Sequence, residues 1–293
     1  MKISVIVPSF NQAAYLPATL DSLAAQNYPD LEVLIHDGGS TDGSVDILRS
    51  HPAHFRWVSE LDGGQADAIN RGLQAATGDV LAYLNSDDIY YPGALGRVAA
   101  YFSAHPDCLV LYGDAHHLHA DGSIMEDYYT EPWNYCRLQE VCFLCQPAVF
   151  WRREVIERCG LLDDTLHFAL DYDYWLRVGK LTDFHHLSGQ FLAGSRLHAD
   201  TKTLGQRVRA HREILQVVLR HGAPPAAVKR WLQHLAHYEA EAAAAPASSL
   251  PEERTFYIRQ FVASVLRNAA RFHVRLTPPW LAELEGHLKG AKA

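Results

Sequence analysis

The stretch LAYLNSDDIYYPG (81–93) carries an apolar strand straight into Asn85-Ser86-Asp87-Asp88. Adjacent carboxylates at the end of a buried strand are costly unless something positive neutralises them. Three more polar clusters stand in the same kind of place. Ser9 and Asn11 follow ISVIVP (3–8), Asp37 and GGSTDGS close LEVLIHD (31–37), and Glu60 and Asp62 follow FRWVS. Any single cluster reads equally well as a helix cap or a turn. Four together suit the binding of a nucleoside diphosphate through a divalent cation. Phosphates and aspartates repel each other without one, and oxygen ligands suit magnesium or manganese. There is no GxxxxGK[ST] loop and no GxGxxG after the first strand, so phosphate-loop and dinucleotide chemistry are not indicated.

The elements that must position these residues alternate. Strands are predicted at 3–8, 31–37, 55–60 and 79–85, from short apolar runs rich in β-branched residues. Between them lie helical patterns at 13–26, over STDGSVDILRS with hydroxyl and Asp caps, and over GGQADAINRGLQAATG, closed by Gly78. Pro92 leads into another helix at 93–104. Four such alternations predict a doubly wound, mostly parallel α/β sheet whose strand ends share one edge and line one cleft. Beyond 105 a hairpin turns at Asp121-Gly122, PAVFWRREVIERCG reads as strand then helix, LDYDYWLRVGK as helix and QFLAGSRLH as strand. From 204 onward the pattern is helical, broken near Pro224-Pro225, Pro246 to Pro251 and Pro278-Pro279, with AEAAAAPASS (240–249) as a linker. The predicted domains are 1–203 and a helical module at 204–293.

The net charge is −8 over 293 residues, which argues against nucleic acid as a partner. The charge is divided. Residues 1–200 carry 12 Lys/Arg and 27 Asp/Glu, a net of −15, and residues 201–293 carry 14 and 7, a net of +7. The opening MKISVIVPSF has too short an apolar run for a signal peptide, and no stretch approaches ~20 apolar residues. The expected location is the cytoplasm or the inner face of a membrane. Cys108, Cys136, Cys142, Cys145 and Cys159 are expected as reduced thiols, since Cys142 and Cys145 form a lone CxxC without a second ligand pair. The histidines of HHLH (116–119) are read as packed or solvated residues on a strand. Asp171 and Asp173 suit a helix N-terminus. Gln146 either frames a substrate or simply ends a strand, and His198 by itself reads as a packed histidine. In RTFYIRQFVASVLRNAARFHVR (254–275), Ile258, Phe261, Val262, Val265, Ala269 and Phe272 share one helical face, surrounded by Arg254, Arg259, Arg267, Arg271 and Arg275. Such a helix either lies on an anionic membrane or lipid-linked acceptor, or packs on its neighbours or a second subunit.

Three stretches in order, VIVPSFNQAAYLPATLDSLAAQNYPDLEVLIHDGGSTDGS, SELDGGQADAINRGLQAATGDVLAYLNSDD and LDYDYWLRV, resemble the family 2 glycosyltransferases of GT-A fold over roughly residues 1–200. The resemblance implies inverting transfer of a sugar from a nucleotide sugar, commonly a UDP-sugar, to an acceptor hydroxyl in polysaccharide or glycolipid assembly. It implies that Asp37 contacts the nucleobase beside Pro8, Ser9 and Asn11. Glu60, Asp62, Asp67, Asn70 and Arg71 would frame nucleotide and sugar. Asn85-Ser86-Asp87 occupies the DxD position, with Asp87 bridging manganese or magnesium and His198 closing over metal and diphosphate. Asp171 matches the catalytic base. The departure is Asn85, whose amide can accept a ribose hydroxyl or ligate a metal but carries no charge, so Asn85→Asp is expected to preserve transfer. Two other classes fit less well: a non-catalytic nucleotide-sugar-binding protein, and a sugar-phosphate nucleotidyltransferase, which would want a basic glycine-rich loop where PSFNQAAY stands.

Overall fold

A computed structural model describes residues 1–53, 55–198, 201–243 and 251–290. They form two compact units, residues 1–138 with 142–201, and residues 139–141 with 202–293. Along residues 1–198 the elements are β1 (Ile3–Ser9), α1 (Leu16–Ala24), β2 (Leu31–Asp37), α2 (Ser44–Ser50), β3 (Arg56–Ser59), α3 (Gln65–Ala75), β4 (Val80–Tyr83), β5 (Ile89–Tyr90), α4 (Ala94–Ala104), β6 (Val110–Leu118), β7 (Ile124–Asp127), α5 (Tyr135–Glu140), β8 (Val149–Arg152), α6 (Glu154–Cys159), α7 (Leu170–Val178) and β9 (His185–Arg196). The sheet runs β3-β2-β1-β4-β8-β6-β9-β5, with β7 paired to β6. The first four strands are mutually parallel, while β8, β7 and β5 run antiparallel to their neighbours.

Every residue of β1 and of β4 is buried, which is why their sequences are unbroken apolar runs rather than alternating ones. The strand order reverses between β1 and β4, where a doubly wound sheet opens its cleft. Pro8 belongs to that opening. Ile6 O accepts Leu84 N at 2.8 Å, so Ile6 and, two residues on, Pro8 face β4. β4 has already ended there, and the missing proline N–H leaves no partner unsatisfied.

Several boundaries differ from the sequence expectation. The first helix is confined to 16–24, with Pro17 in its first turn. α2 has Gly43, at φ 100°, as its N-cap, and Asp42 Oδ1 accepts both Ser44 N and Ser44 Oγ. α3 stops at Ala75, and Gly78 is not its cap. Gly78 instead lies against β1, where a Cβ would come 2.6 Å from Ser4 N. The turn after β6 falls at the expected Asp121-Gly122, with Gly122 at φ 88°. His116 and His117 are packed, stacked against Phe191 and tilted against Tyr128 respectively. All five cysteines are free thiols.

The second unit is helical: α8 (Lys202–Gly205), α9 (Arg207–Arg220), α10 (Pro225–Ala243), α11 (Pro251–Arg271) and α12 (Pro278–Gly290). Prolines open the last three, as fits a first turn with no N–H to satisfy. Residues 244–250 of the expected linker region and the side chain of Arg254 lie outside the described residues. On α11, Val262, Val265 and Ala269 are 5%, 0% and 3% exposed. The apolar face of that helix is therefore used inside its own unit, beside α10. None of the described helices is long and apolar enough to cross a membrane.

Glu239 on α10 joins three helices. Its carboxylate accepts from Arg212 at 2.6 Å, Ser264 at 2.7 Å, Arg267 at 2.8 Å and Asn268 at 3.0 Å. Burial alone would raise its pKa, but the bonds from Arg267, Ser264, Arg212 and Asn268 bring it from 4.5 down to about 2. A depressed carboxylate contributes stability above its unfolded pKa and loses it as pH falls through the folded value. Glu239→Gln is thus expected to destabilise the second unit by about 2 kcal/mol at neutral pH. The difference from wild type should fade between pH 4.5 and about 2, as read by denaturant melts. A constant difference across that window would show that Glu239 acts by packing alone.

Candidate active site

The ends of β1, β2 and β3 form one row. Ser9 pairs with Asp37, and Asp37 with Ser59. Asp37 is 2% exposed. It accepts from Gly39 N at 3.1 Å, Ser40 N at 2.9 Å, Ser40 Oγ at 2.5 Å and Ser59 Oγ at 2.7 Å. These four bonds fill a carboxylate's usual capacity. Asp37 shapes the loop, and any group that reached its carboxylate would have to displace one of these hydroxyls. Asn11, at φ 51°, works on the same loop, with Oδ1 accepting Thr41 N at 2.9 Å and its own N donating to Ser40 Oγ at 2.7 Å. Ser9 Oγ is buried without a hydrogen-bond partner.

Glu60, Asp67 and Arg71 form one ion-pair cluster on the same side. Arg71 Nη1 meets Glu60 Oε1 at 2.6 Å and Nη2 meets Asp67 Oδ2 at 2.8 Å. Asp62 Oδ1 accepts Gly64 N at 2.8 Å, and its carboxylate lies over Gly38, where a Cβ would stand 2.9 Å from Asp62 Oδ2. Asn70 does not join this group. Both ends of its amide hold Leu162, Nδ2 to the carbonyl at 2.9 Å and Oδ1 from the N–H at 3.0 Å.

The loop after β4 separates its two carboxylates. Asp88 is 3% exposed and turns inward, accepting Arg196 N at 2.8 Å and Asn85 Nδ2 at 3.1 Å. Burial, then the neighbouring Asp87 charge, raises its pKa well above the ordinary value. Main-chain and amide donors thus satisfy Asp88, which sets it apart from Asp87. Asp87 keeps 18% of its side chain exposed, and its Oδ2 lies 2.9 Å from His198 Nε2, across 111 residues of chain. Ser86 is buried. Asn85 is an amide hub. Its Oδ1 accepts Gln65 Nε2 at 2.7 Å and its Nδ2 donates to Asp88 Oδ2 and, at 3.3 Å, to Gln146 Oε1.

Asp171 stands in the first turn of α7, with Tyr172 N donating to its Oδ1 at 2.7 Å. Burial raises the Tyr83 phenol first, and the charges of Asp171 and then Asp88 raise it further. The Cys142 thiol is likewise pushed up to about 12, by burial and then by Asp171. Asp173 faces the interior at 1% exposure and pairs with Arg177 at 2.9 Å.

The family model described as Glycosyl transferase family 2 matches residues 4–160. The chain belongs to this family. Among curated proteins it is 34% identical over 182 residues to the PGL/p-HBAD biosynthesis glycosyltransferase of Mycobacterium bovis (strain BCG / Pasteur 1173P2), covering 59% of this chain and 68% of that one. Among solved structures it resembles S. aureus TarS 1-349 in complex with UDP-GlcNAc, with a TM-score of 0.61, 20% identity, and coverage of 90% of this chain and 82% of that one. It also resembles the mannosyltransferase PcManGT from Pyrobaculum calidifontis in complex with GDP-Man and Mn2+, with a TM-score of 0.58, 20% identity, and coverage of 99% and 86%. Against the longer TarS chain the match spans 49% of that protein. At such identities the neighbours speak for the fold, which is the GT-A type. The family 2 glycosyltransferase reading therefore stands over the nucleotidyltransferase and the non-catalytic binder.

Several residues of this glycosyltransferase escaped sequence reasoning. Phe10 and Leu61, 59% and 84% exposed, follow Ser9 and Glu60 at the row of strand ends. The signal was an aromatic or aliphatic residue set directly against each polar cluster. Gln65 reaches Asn85, and Arg196 reaches the Asp87 loop. Arg196 and His198 are two apart at the end of an extended segment, a spacing that puts both on one face.

Proposed function

We infer that this family 2 glycosyltransferase moves a sugar from a nucleoside diphosphate sugar, a UDP-sugar first of all, to a hydroxyl of a saccharide or lipid-linked acceptor, with inversion. The observation that carries the reading is the pairing of Asp87 with His198. Two residues so far apart in sequence meet at the cleft edge, one a part-exposed carboxylate and the other an imidazole. Their donor set, one oxygen and one nitrogen, fits manganese, and magnesium less well. Among the described residues no group of three or more His, Cys, Asp or Glu is assembled for a metal. Asp87 and His198 would hold the ion with the remaining positions left to diphosphate and water, as is usual where phosphates share a cation. When bound, the ion supplies electrostatic stabilisation of the leaving diphosphate. The UDP-GlcNAc and the GDP-Man with Mn2+ of the two neighbours support this donor class.

The chain's own residues divide the remaining work. Asp37, Asn11 and Ser40 hold the loop at the base end of the cleft, with Phe10 offering an aromatic face to a flat base. Ser9, Ser40 and Ser59 supply hydroxyls beside it. The Glu60–Arg71–Asp67 cluster borders the donor. Asp171, set apart from Asp87 along the chain, takes the acceptor proton. The +7 charge of residues 201–293 supports an anionic acceptor lipid or membrane surface as partner of the helical unit, through charge rather than insertion, since the apolar face of α11 is packed. A homodimer through the same helices is the alternative partner.

A panel of UDP- and GDP-sugars, scored by nucleoside diphosphate release with Mn2+ or EDTA, tests the reading. Release from one donor, dependent on Mn2+ and raised by a saccharide acceptor, is expected. Release indifferent to EDTA would remove the metal. A product that keeps the donor's anomeric configuration would remove direct displacement.

A further inference from the structure

Arg196 is a buried guanidinium bonded to carbonyls. The residue is 5% exposed. Its Nε donates to Asp87 O at 2.8 Å, and Nη1 donates to Ala120 O at 3.0 Å and His119 O at 3.4 Å. Among the described residues no carboxylate forms a salt bridge with it, and a buried cation without one is costly. Its main-chain N–H fixes Asp88 at 2.8 Å. The guanidinium also lies over Tyr15, 5.4 Å from the ring centroid. Tyr15 in turn meets the His198 ring, centroids 4.3 Å apart and tilted by 33°. With His198 Nε2 at 2.9 Å from Asp87 Oδ2, the contacts close a ring: Arg196 to Asp87, Asp87 to His198, His198 to Tyr15, and Tyr15 to Arg196.

We propose that Arg196 is the positioning residue of this end of the cleft, holding Asp87 directly and His198 through Tyr15 in the mutual geometry that receives the donor's diphosphate and its cation. The inference rests on the donor reading above. It asks for the planar fork and not for positive charge alone. A lysine has one nitrogen, and it cannot bond Asp87 O and Ala120 O while lying flat on an aromatic ring. It asks equally for the ring of Tyr15 and not for its hydroxyl. The competing role is a brace for the 119–122 turn, since Gly122 is close enough that a Cβ there would stand 3.1 Å from Arg196 Nη1. A brace would affect melting and leave metal dependence alone.

The test is calorimetry of UDP and GDP on the full chain, with Mn2+ and with EDTA, for wild type, Arg196→Lys, Tyr15→Leu and Tyr15→Phe, with melting temperatures alongside. The ratio of affinity in Mn2+ to affinity in EDTA is expected to fall at least ~10-fold in Arg196→Lys and Tyr15→Leu, the scale for losing a group that orients metal ligands. Tyr15→Phe should match wild type, and affinities in EDTA should stay level throughout. If Arg196→Lys does not fold, Tyr15→Leu, which leaves the guanidinium in place, decides. A lower melting temperature with an unchanged ratio would make Arg196 a brace and overturn the proposal. If wild type binds neither nucleotide, or binds without regard to Mn2+, the donor reading itself falls and takes this inference with it.

Discussion

Asp171→Asn is expected to lower sugar transfer at least ~10²-fold while leaving fold and nucleoside diphosphate affinity intact. An acceptor hydroxyl is a poor nucleophile at neutral pH, and a carboxylate placed to take its proton as the bond forms contributes on the order of 10²–10⁴. Direct displacement puts that base opposite the leaving diphosphate, so it should come from an element other than the loop carrying Asp87. Asp171 meets this condition, in the first turn of α7 and bonded by Tyr172 N. Its charge also adds to the burial that raises the phenol of Tyr83 on β4.

Asp173 provides the control, for a reason the structure supplies. It is 1% exposed and paired with Arg177, which also donates to Cys159 O at 2.8 Å and Leu161 O at 2.7 Å. Removing one partner of a buried ion pair leaves the other uncompensated, at a cost of about 3 kcal/mol. Asp173→Asn should therefore melt early and, below its melting temperature, turn over near the wild-type rate. Steady-state rates with the donor found by the sugar panel, set beside calorimetric affinities, separate the two. An Asp171→Asn enzyme that transfers at the wild-type rate, or that loses nucleotide affinity instead, would assign the base elsewhere.

The first half of the molecule was legible because its strands are buried on both faces. ISVIVP and DVLAYLN are continuous apolar runs, and each ends where polar residues begin, so both strand and strand end show in one dimension. The row Ser9–Asp37–Ser59 follows from parallel pairing alone. What the chain order conceals is how later elements return. β9 pairs with β6 in parallel with register shifts at Gly113 and Asp114, and it ends beside a loop more than a hundred residues earlier. That return brings His198, which the family resemblance alone had set near Asp87, to its carboxylate, and it brings Arg196 to the same loop.

Side-chain direction was the second thing hidden. Asp87 and Asp88 are alike in type and adjacent in sequence, yet one meets His198 and the other a buried main-chain N–H. Asp171 and Asp173 divide in the same manner, and so do Arg71 and Asn70, one in an ion-pair cluster and the other holding Leu162. The helix at 254–275 showed its amphipathic period plainly, but period alone cannot tell which side a neighbour occupies. Burial of Val262, Val265 and Ala269 supplies that.

Asp87→Asn should remove the metal-dependent part of nucleotide binding and lower transfer by on the order of 10²–10³, since a cation at the leaving diphosphate is worth several kcal/mol. The nearby Asn85 offers an apparent remedy: restoring a carboxylate at the first position of the motif. The hydrogen bonds argue against it. Asn85 Nδ2 donates to Asp88 Oδ2 at 3.1 Å and to Gln146 Oε1 at 3.3 Å; a carboxylate would offer Gln146 no proton, and it could meet Asp88 only by sharing a single proton within a buried pair of like charges. Gln146 cannot turn to help, because its Nε2 is bonded to Tyr83 O at 2.7 Å. Asn85→Asp alone is therefore expected to lose about 2 kcal/mol of stability, the scale for leaving buried acceptors unsatisfied, and to gain no Mn2+ affinity. The double variant Asp87→Asn/Asn85→Asp should be no more active than Asp87→Asn. Calorimetry of UDP with Mn2+ and denaturant melts on the three variants measure all of this. Tighter Mn2+-dependent binding in Asn85→Asp, or recovery in the double variant, would mean that the amide is a replaceable ligand and not the hub of the loop.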